Sequence, residues 1–153
     1  MTQGPQVAVL IPLAVGASAV ACTIIIRALA VIATVNFIRH ERRLGRVGVG
    51  FLIDLSIVAL VISVELLAHL TEIAIWALLF LVCREFSDFG TAYYHSAVNY
   101  TTLGYGDLIM TPSWRMLGPL EAANGMLMFG VSTAIIFTIM QRLIQARFGD
   151  LRE

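Results

Sequence analysis

Three long apolar runs, separated by short polar breaks, set the plan of this chain. From Val7 to Ile38 the sequence is almost continuously apolar, interrupted only by Arg27 and small polar side chains. Arg39-His40-Glu41-Arg42-Arg43-Leu44-Gly45-Arg46 ends that run, residues 47–83 resume it, and a last run covers residues 115–142. Each is long enough to cross a bilayer, which takes about 20 apolar residues. As one helix, residues 47–83 would be about 55 Å long against about 30 Å of hydrocarbon. A second crossing inside it would put residues 39–46 on the same side as the polar stretch beyond residue 83, so one over-long crossing is expected. Paired with the equally over-long first helix, it predicts an antiparallel hairpin whose tip, residues 39–46, projects from the membrane.

Composition agrees with an integral membrane protein. The chain is 59% hydrophobic and only 13% charged, with mean hydropathy +0.87, outside the soluble globular range. The formal net charge is +0, so only the placement of charge is informative. Arg39, Arg42, Arg43 and Arg46 lie at the hairpin tip, and Arg142, Arg147 and Arg152 near the C-terminus, against Arg84 and Arg115 on the opposite side. The positive-inside rule then puts tip and C-terminus in the cytoplasm and the N-terminus outside. A signal peptide is not expected, because no basic residue precedes Val7 and apolar sequence resumes after Arg27.

Between the second and third runs, Asp88 is a natural N-cap for a short helix over residues 88–101. It leads into Thr101-Thr102-Leu103-Gly104-Tyr105-Gly106-Asp107. A dehydrated cation needs oxygens at fixed spacing in place of its water shell, and backbone carbonyls supply them. Gly104 and Gly106 can adopt the positive φ that turns successive carbonyls toward one axis, while Leu103 and Tyr105 direct their side chains into supporting protein. Irregular backbone at membrane depth is tolerated only where it is buried in protein or lines a water-filled path. The stretch therefore reads as an ion selectivity filter.

Thr102 to Asp107 resembles the T-V-G-Y-G-D filter of tetrameric potassium channels, with Leu103 in place of the commoner valine. More loosely, residues 66–142 resemble the outer helix, pore helix, filter and inner helix of small prokaryotic pore-only channels. The resemblance implies an all-α membrane protein of the plasma (inner) membrane, with three transmembrane helices and one re-entrant pore helix per subunit. It implies a potassium-selective homotetramer holding K+ at Thr102, Leu103, Gly104 and Tyr105, with Gly106 completing the filter. Thr101, Asp107, Tyr94 and His95 would support the filter and outer mouth; one of Tyr93, Tyr94 and His95 is expected to hydrogen-bond Asp107. Gly125 or Gly130 would be the bending point of the inner helix, although close packing is the plainer role for either. The implied division is an N-terminal helix and basic turn, 1–46, and a pore domain, 47–153, comprising outer helix 47–83, pore helix 88–101, filter 102–107 and inner helix 115–142. No cofactor is expected beyond potassium as the permeant species, and the partners are further copies of the chain and the lipid bilayer, not nucleic acid.

Asp54, Glu65, His69 and Glu72 fall on one helical face, since separations of 11, 4 and 3 residues each return close to the starting angle. Such a stripe cannot cheaply face lipid. Packing against the first helix is the plain reading, and a proton or ligand sensor coupled to gating the sharper one. In a hairpin turning near residue 43, Arg27 is expected to pair with Asp54. Glu121 and Asn124 are expected behind the filter, and Thr133 and Phe137 near the lower cavity.

Other classes are weaker. Cys22 and Cys83 lack metal or disulfide spacing, and Gly45-Arg46-Val47-Gly48-Val49-Gly50 lacks the lysine and strand of a phosphate loop. No helix carries arginine at every third position, so a voltage sensor is not expected. The stretch after Arg142 is too short for a regulatory domain. An enzyme is not expected. An accessory subunit requiring a partner, or a proton-coupled transporter using Glu65, His69 and Glu72, remain the alternatives.

Overall fold

The computed structural model describes residues 4–148, and the side chains of residues 9–147. Arg152 lies outside the described residues. Four helices follow in order: α1 Gly4–Arg43, α2 Phe51–Val82, α3 Phe89–Tyr100 and α4 Leu117–Phe148, with no strand among the described residues. Three of them, over Val9–Arg43, Phe51–Val82 and Leu117–Arg147, are long and apolar enough to cross a membrane. At 12 residues, α3 is about 18 Å long and too short to do so. Large apolar side chains such as Leu10, Ile25, Leu29, Leu52, Leu67 and Leu127 are exposed along the three long helices. Hydrocarbon rather than water accounts for such surfaces. The protein is a multi-pass, all-α membrane protein.

The helices stop where the backbone can turn left-handed. At the end of α1, Gly45 has φ +66°, and the amides of Gly45 and Arg46 bond back to the carbonyls of Arg42 and Glu41 at 3.0 and 3.1 Å. This is a Schellman cap, in which a positive φ lets two late carbonyls find donors. α2 ends the same way at Arg84 (φ +57°), with Arg84 and Glu85 amides on Leu81 and Phe80 carbonyls, both at 3.0 Å. Gly48, at φ +81°, keeps residues 44–50 as a turn, so α2 is a single helix that begins at Phe51 rather than at residue 47. A Cβ at Gly48 would also lie 3.2 Å from the Ala146 side chain.

The three long helices each contribute to two compact units. The first joins the described residues up to Ile26 with His69–Phe129. Its core is Ile73, Trp76, Ala77 and Phe80 of α2, Ala92 and Tyr100 of α3, Leu117 and Met128 of α4, and Ala19 of α1. The second joins Arg27–Ala68 with α4 from Gly130 onward, around Ile38, Ile57, Val61, Ile139 and Leu143.

At the centre of the second unit is a buried ionic cluster. Arg27 and Glu65, 3% and 2% exposed, meet at 2.7 Å. The Arg27 guanidinium also donates to Ser132 Oγ at 2.6 Å, and Ser132 donates to Glu65 at 2.8 Å. Thr34 reaches the other Glu65 oxygen at 3.5 Å. The expected Arg27–Asp54 pair is thus replaced by Arg27–Glu65. Asp54 instead accepts from the Gly48 amide at 2.9 Å and lies 4.0 Å from Arg147. The reason is the turn: it runs on to Gly50, so the hairpin is centred near residue 47 rather than 43, and the level of Arg27 on α2 moves by about two helical turns.

Candidate functional site

The loop Thr101–Asp107 grows directly out of the C-terminal cap of α3. Asp88 starts the helix, its carboxylate accepting from the Thr91 amide at 2.9 Å. Hydrogen bonding from the Thr91 side chain, then from its amide, lowers the Asp88 carboxyl pKa. At the other end Thr102 adopts φ +61°, and the amides of Thr102 and Leu103 return to the carbonyls of Asn99 and Val98 at 2.8 and 2.9 Å. The Gly104 amide shares the Val98 carbonyl at 3.2 Å, and Thr101 Oγ1 donates to Ala97 at 2.7 Å. α3 therefore ends in the same Schellman geometry as α1 and α2, but with threonine at the left-handed position. A non-glycine residue there, as at Arg84 after α2, stores about 1–3 kcal/mol of strain.

Left-handed residues then alternate along the loop: Thr102 at φ +61°, Gly104 at +61° and Gly106 at +73°, with Leu103 and Tyr105 between them outside that region. Leu103 and Tyr105 are 55% and 66% exposed, and every residue from Thr101 to Asp107 is exposed in the single chain. The supporting protein expected around Leu103 and Tyr105 is not supplied by the described residues of this chain.

One side chain ties the end of the loop to α3. Of Tyr93, Tyr94 and His95, it is Tyr94 whose hydroxyl donates to Asp107 Oδ2, at 2.8 Å. The carboxylate acceptor raises the Tyr94 phenol above its ordinary value. His95 turns inward against Phe86 and Phe80, with ring centroids 4.8 and 5.4 Å away. Burial pushes its pKa down, against the opposing pull of Asp107 and Glu85, and the neutral ring accepts from Asn99 Nδ2 at 2.8 Å. Tyr93 reaches the Leu70 carbonyl at 3.4 Å.

The buried face of α3 is anchored by polar contacts that the sequence reading missed. Ser96 Oγ lies 2.8 Å from the Ile73 carbonyl and also donates to Glu121 of α4. Tyr100, fully buried, donates to Glu72 of α2 and lies 3.1 Å from His69 Nδ1. The His69 ring stacks on Phe129 at 4.2 Å. Tyr93, Ser96 and Tyr100 recur at helical spacing, the one signal from which this face was legible. Asn124 is buried and its amide oxygen lies 3.2 Å from Thr23 Oγ1. Beyond the loop, Glu85 takes both the amide and the hydroxyl of Thr111, at 2.7 and 2.5 Å, a clamp that spacing alone did not suggest.

The two inner-helix glycines differ. A Cβ on Gly125 would stand 2.1 Å from the Tyr100 carbonyl oxygen, whereas one on Gly130 would meet nothing within 4 Å. Gly125 is where α4 touches the end of α3. The acidic stripe is divided: His69 and Glu72 engage Tyr100 in the first unit, and Asp54 and Glu65 are engaged in the second. Thr133 and Phe137 are exposed on α4. No group of three or more metal-ligating His, Cys, Asp or Glu side chains occurs among the described residues.

The fold and this loop define a multi-pass membrane protein with an exposed, irregular backbone segment built onto the end of a short helix between two spans. Residues 68–142 match the family model described as "Ion channel". The match covers α2 from Ala68, α3, the loop and α4 to Arg142, and it supports an ion channel rather than an enzyme. No curated protein and no solved structure matches the chain.

Proposed function

We propose that the chain is one subunit of a homotetrameric, potassium-selective channel whose filter is Thr102–Gly106. The observation that carries this reading is the loop itself. Left-handed residues alternate at Thr102, Gly104 and Gly106, a repeat that suits carbonyls directed to one side, while the segment lies exposed in the single chain. Exposed backbone of this kind cannot face lipid. Four copies around an axis would bury Leu103 and Tyr105 against neighbours and leave the carbonyls of Thr102, Leu103, Gly104 and Tyr105 to replace the hydration shell of K+. α3 would be the re-entrant pore helix, aiming its negative end below the filter. Thr101 and Tyr94 would hold the loop to it, with His95 packed behind them in α3, and Asp107, Glu85 and Asp88 would concentrate cations at the outer mouth.

α2 would be the outer helix and α4 the inner, pore-lining helix. Gly130 is the better candidate for a bend, because packing within the chain makes no demand on it, whereas Gly125 serves the contact with Tyr100. The arginine-rich turn after α1 and the end of α4 would lie on the cytoplasmic side of the plasma (inner) membrane, with the N-terminus outside. The test is flux of K+ against Na+ into liposomes containing only the purified chain, with Gly104→Asp as control. Potassium flux that vanishes in the variant is the expected result. Equal sodium and potassium flux, or flux surviving in Gly104→Asp, would defeat the assignment.

A further inference from the structure

Within the second unit, α1 and α4 leave between them a groove of ≈ 570 Å³, lined by Val31, Val35, Ala134 and Ile135. Arg39, Arg42 and Arg142 line its other end. Both helices are long and apolar enough to span a membrane, so the groove lies at membrane depth. From Val131 to Arg142, which both line it, α4 rises about 16 Å, close to the depth of one leaflet of a hydrocarbon core about 30 Å thick. Thr138 apart, the slot is thus apolar for the length of an acyl chain and cationic only where a headgroup would sit.

Among the described residues none of Arg39, Arg42 and Arg142 makes an ion pair. The nearby carboxylates are used elsewhere, Glu41 with Arg46 at 3.7 Å and Asp54 with Arg147 at 4.0 Å. A second groove leads from Arg42 and Arg142 past Val47, Gln145 and Ala146, which gives a polar headgroup room beside the same two guanidinium groups. Guanidinium groups bind phosphate oxygens through paired N–H donors, and basic pockets between membrane helices select anionic lipid headgroups.

We infer that this groove is a binding site for an anionic phospholipid, its phosphate held by Arg39, Arg42 and Arg142 and one acyl chain lying along Val31, Val35, Ala134 and Ile135. A second copy of the chain is a poorer occupant. At the same depth it would present its own arginine-rich helix ends, like charge against like. The site is independent of ion selectivity, since it involves no residue of the Thr101–Asp107 loop.

The test uses the full chain, purified in neutral detergent and titrated with phosphatidylglycerol, phosphatidylcholine or inorganic phosphate, with bound lipid read by native mass spectrometry. Phosphatidylglycerol is expected to bind saturably, up to one per chain, in preference to phosphatidylcholine and without displacement by inorganic phosphate. Arg42→Gln combined with Arg142→Gln is expected to weaken it by about thirtyfold. Ala134→Trp, which fills the slot and leaves the arginines, is expected to weaken it as well. Equal affinity for the two lipids, or displacement by phosphate alone, overturns the inference, and the wild-type titration decides both without any variant. An Ala134→Trp chain that loses its assembly yet binds phosphatidylglycerol normally would assign the groove to a second copy.

Discussion

Thr102 belongs to two structures at once. It is the left-handed residue that closes the cap of α3 and the first of the three left-handed residues of the proposed filter. The backbone strain of the loop is therefore tied to the end of a helix whose other face is anchored through Tyr100 and Ser96. Gly125 completes that anchorage by letting α4 reach the Tyr100 carbonyl. Gly125→Ala is expected to cost about 3 kcal/mol, because a Cβ 2.1 Å from a carbonyl oxygen must push two helices apart. Gly130→Ala meets open space and is expected to leave stability unchanged or raise it by up to about 1 kcal/mol through helix propensity. Thermal unfolding in detergent distinguishes them. If Gly130 is the bend, its substitution should also lower the fraction of time the pore is open, read from single-channel records at unchanged stability.

Among elements, the second unit is held by the Arg27–Glu65–Ser132 cluster, which joins α1, α2 and α4. Removing one partner of a buried ion pair leaves the other charge without compensation and typically costs about 3–5 kcal/mol. Replacing both with apolar residues of similar size is often neutral. Arg27→Met and Glu65→Leu are each expected to lower the unfolding midpoint sharply, and the double variant to recover most of the loss. A double variant as unstable as the sum of the singles would mean that the two residues act independently. This cluster also marks the limit of what the sequence made legible. The three spans, the N-cap at Asp88 and the glycine-bearing loop were readable, because run length, cap chemistry and positive φ are local properties. The partner of Arg27 was not, because it depends on how far the turn extends past Gly48, and hydropathy is silent on a shift of two helical turns. The Ser96–Glu121 and Tyr100–Glu72 contacts were hidden likewise, since they depend on the rotation of α3 against α2 and α4.

At the scale of the whole molecule, the proposed filter would make ion binding and assembly one equilibrium. Four copies of the proposed filter would bring rings of carbonyl oxygens together, and with no cation between them those dipoles repel. On that proposal potassium would bind only the assembled state, so it should stabilise assembly by an amount that grows with its concentration over the dissociation constant, about 2.7 kcal/mol at a hundredfold excess. A tetramer in detergent is therefore expected to dissociate at higher temperature in potassium chloride than in sodium chloride at equal ionic strength. The difference should vanish in Gly104→Asp, where the left-handed position at φ +61° must accommodate a charged side chain. Ionic strength is held constant, so screening at the arginine-rich helix ends affects both salts alike and cannot produce the difference. Equal dissociation temperatures in the two salts would mean that the loop does not discriminate the ions, whatever holds the subunits together. Dissociation to single chains would return Leu103 and Tyr105 to the exposed state seen in one copy, so fluorescence of a reporter placed beside Tyr105 should report the same transition.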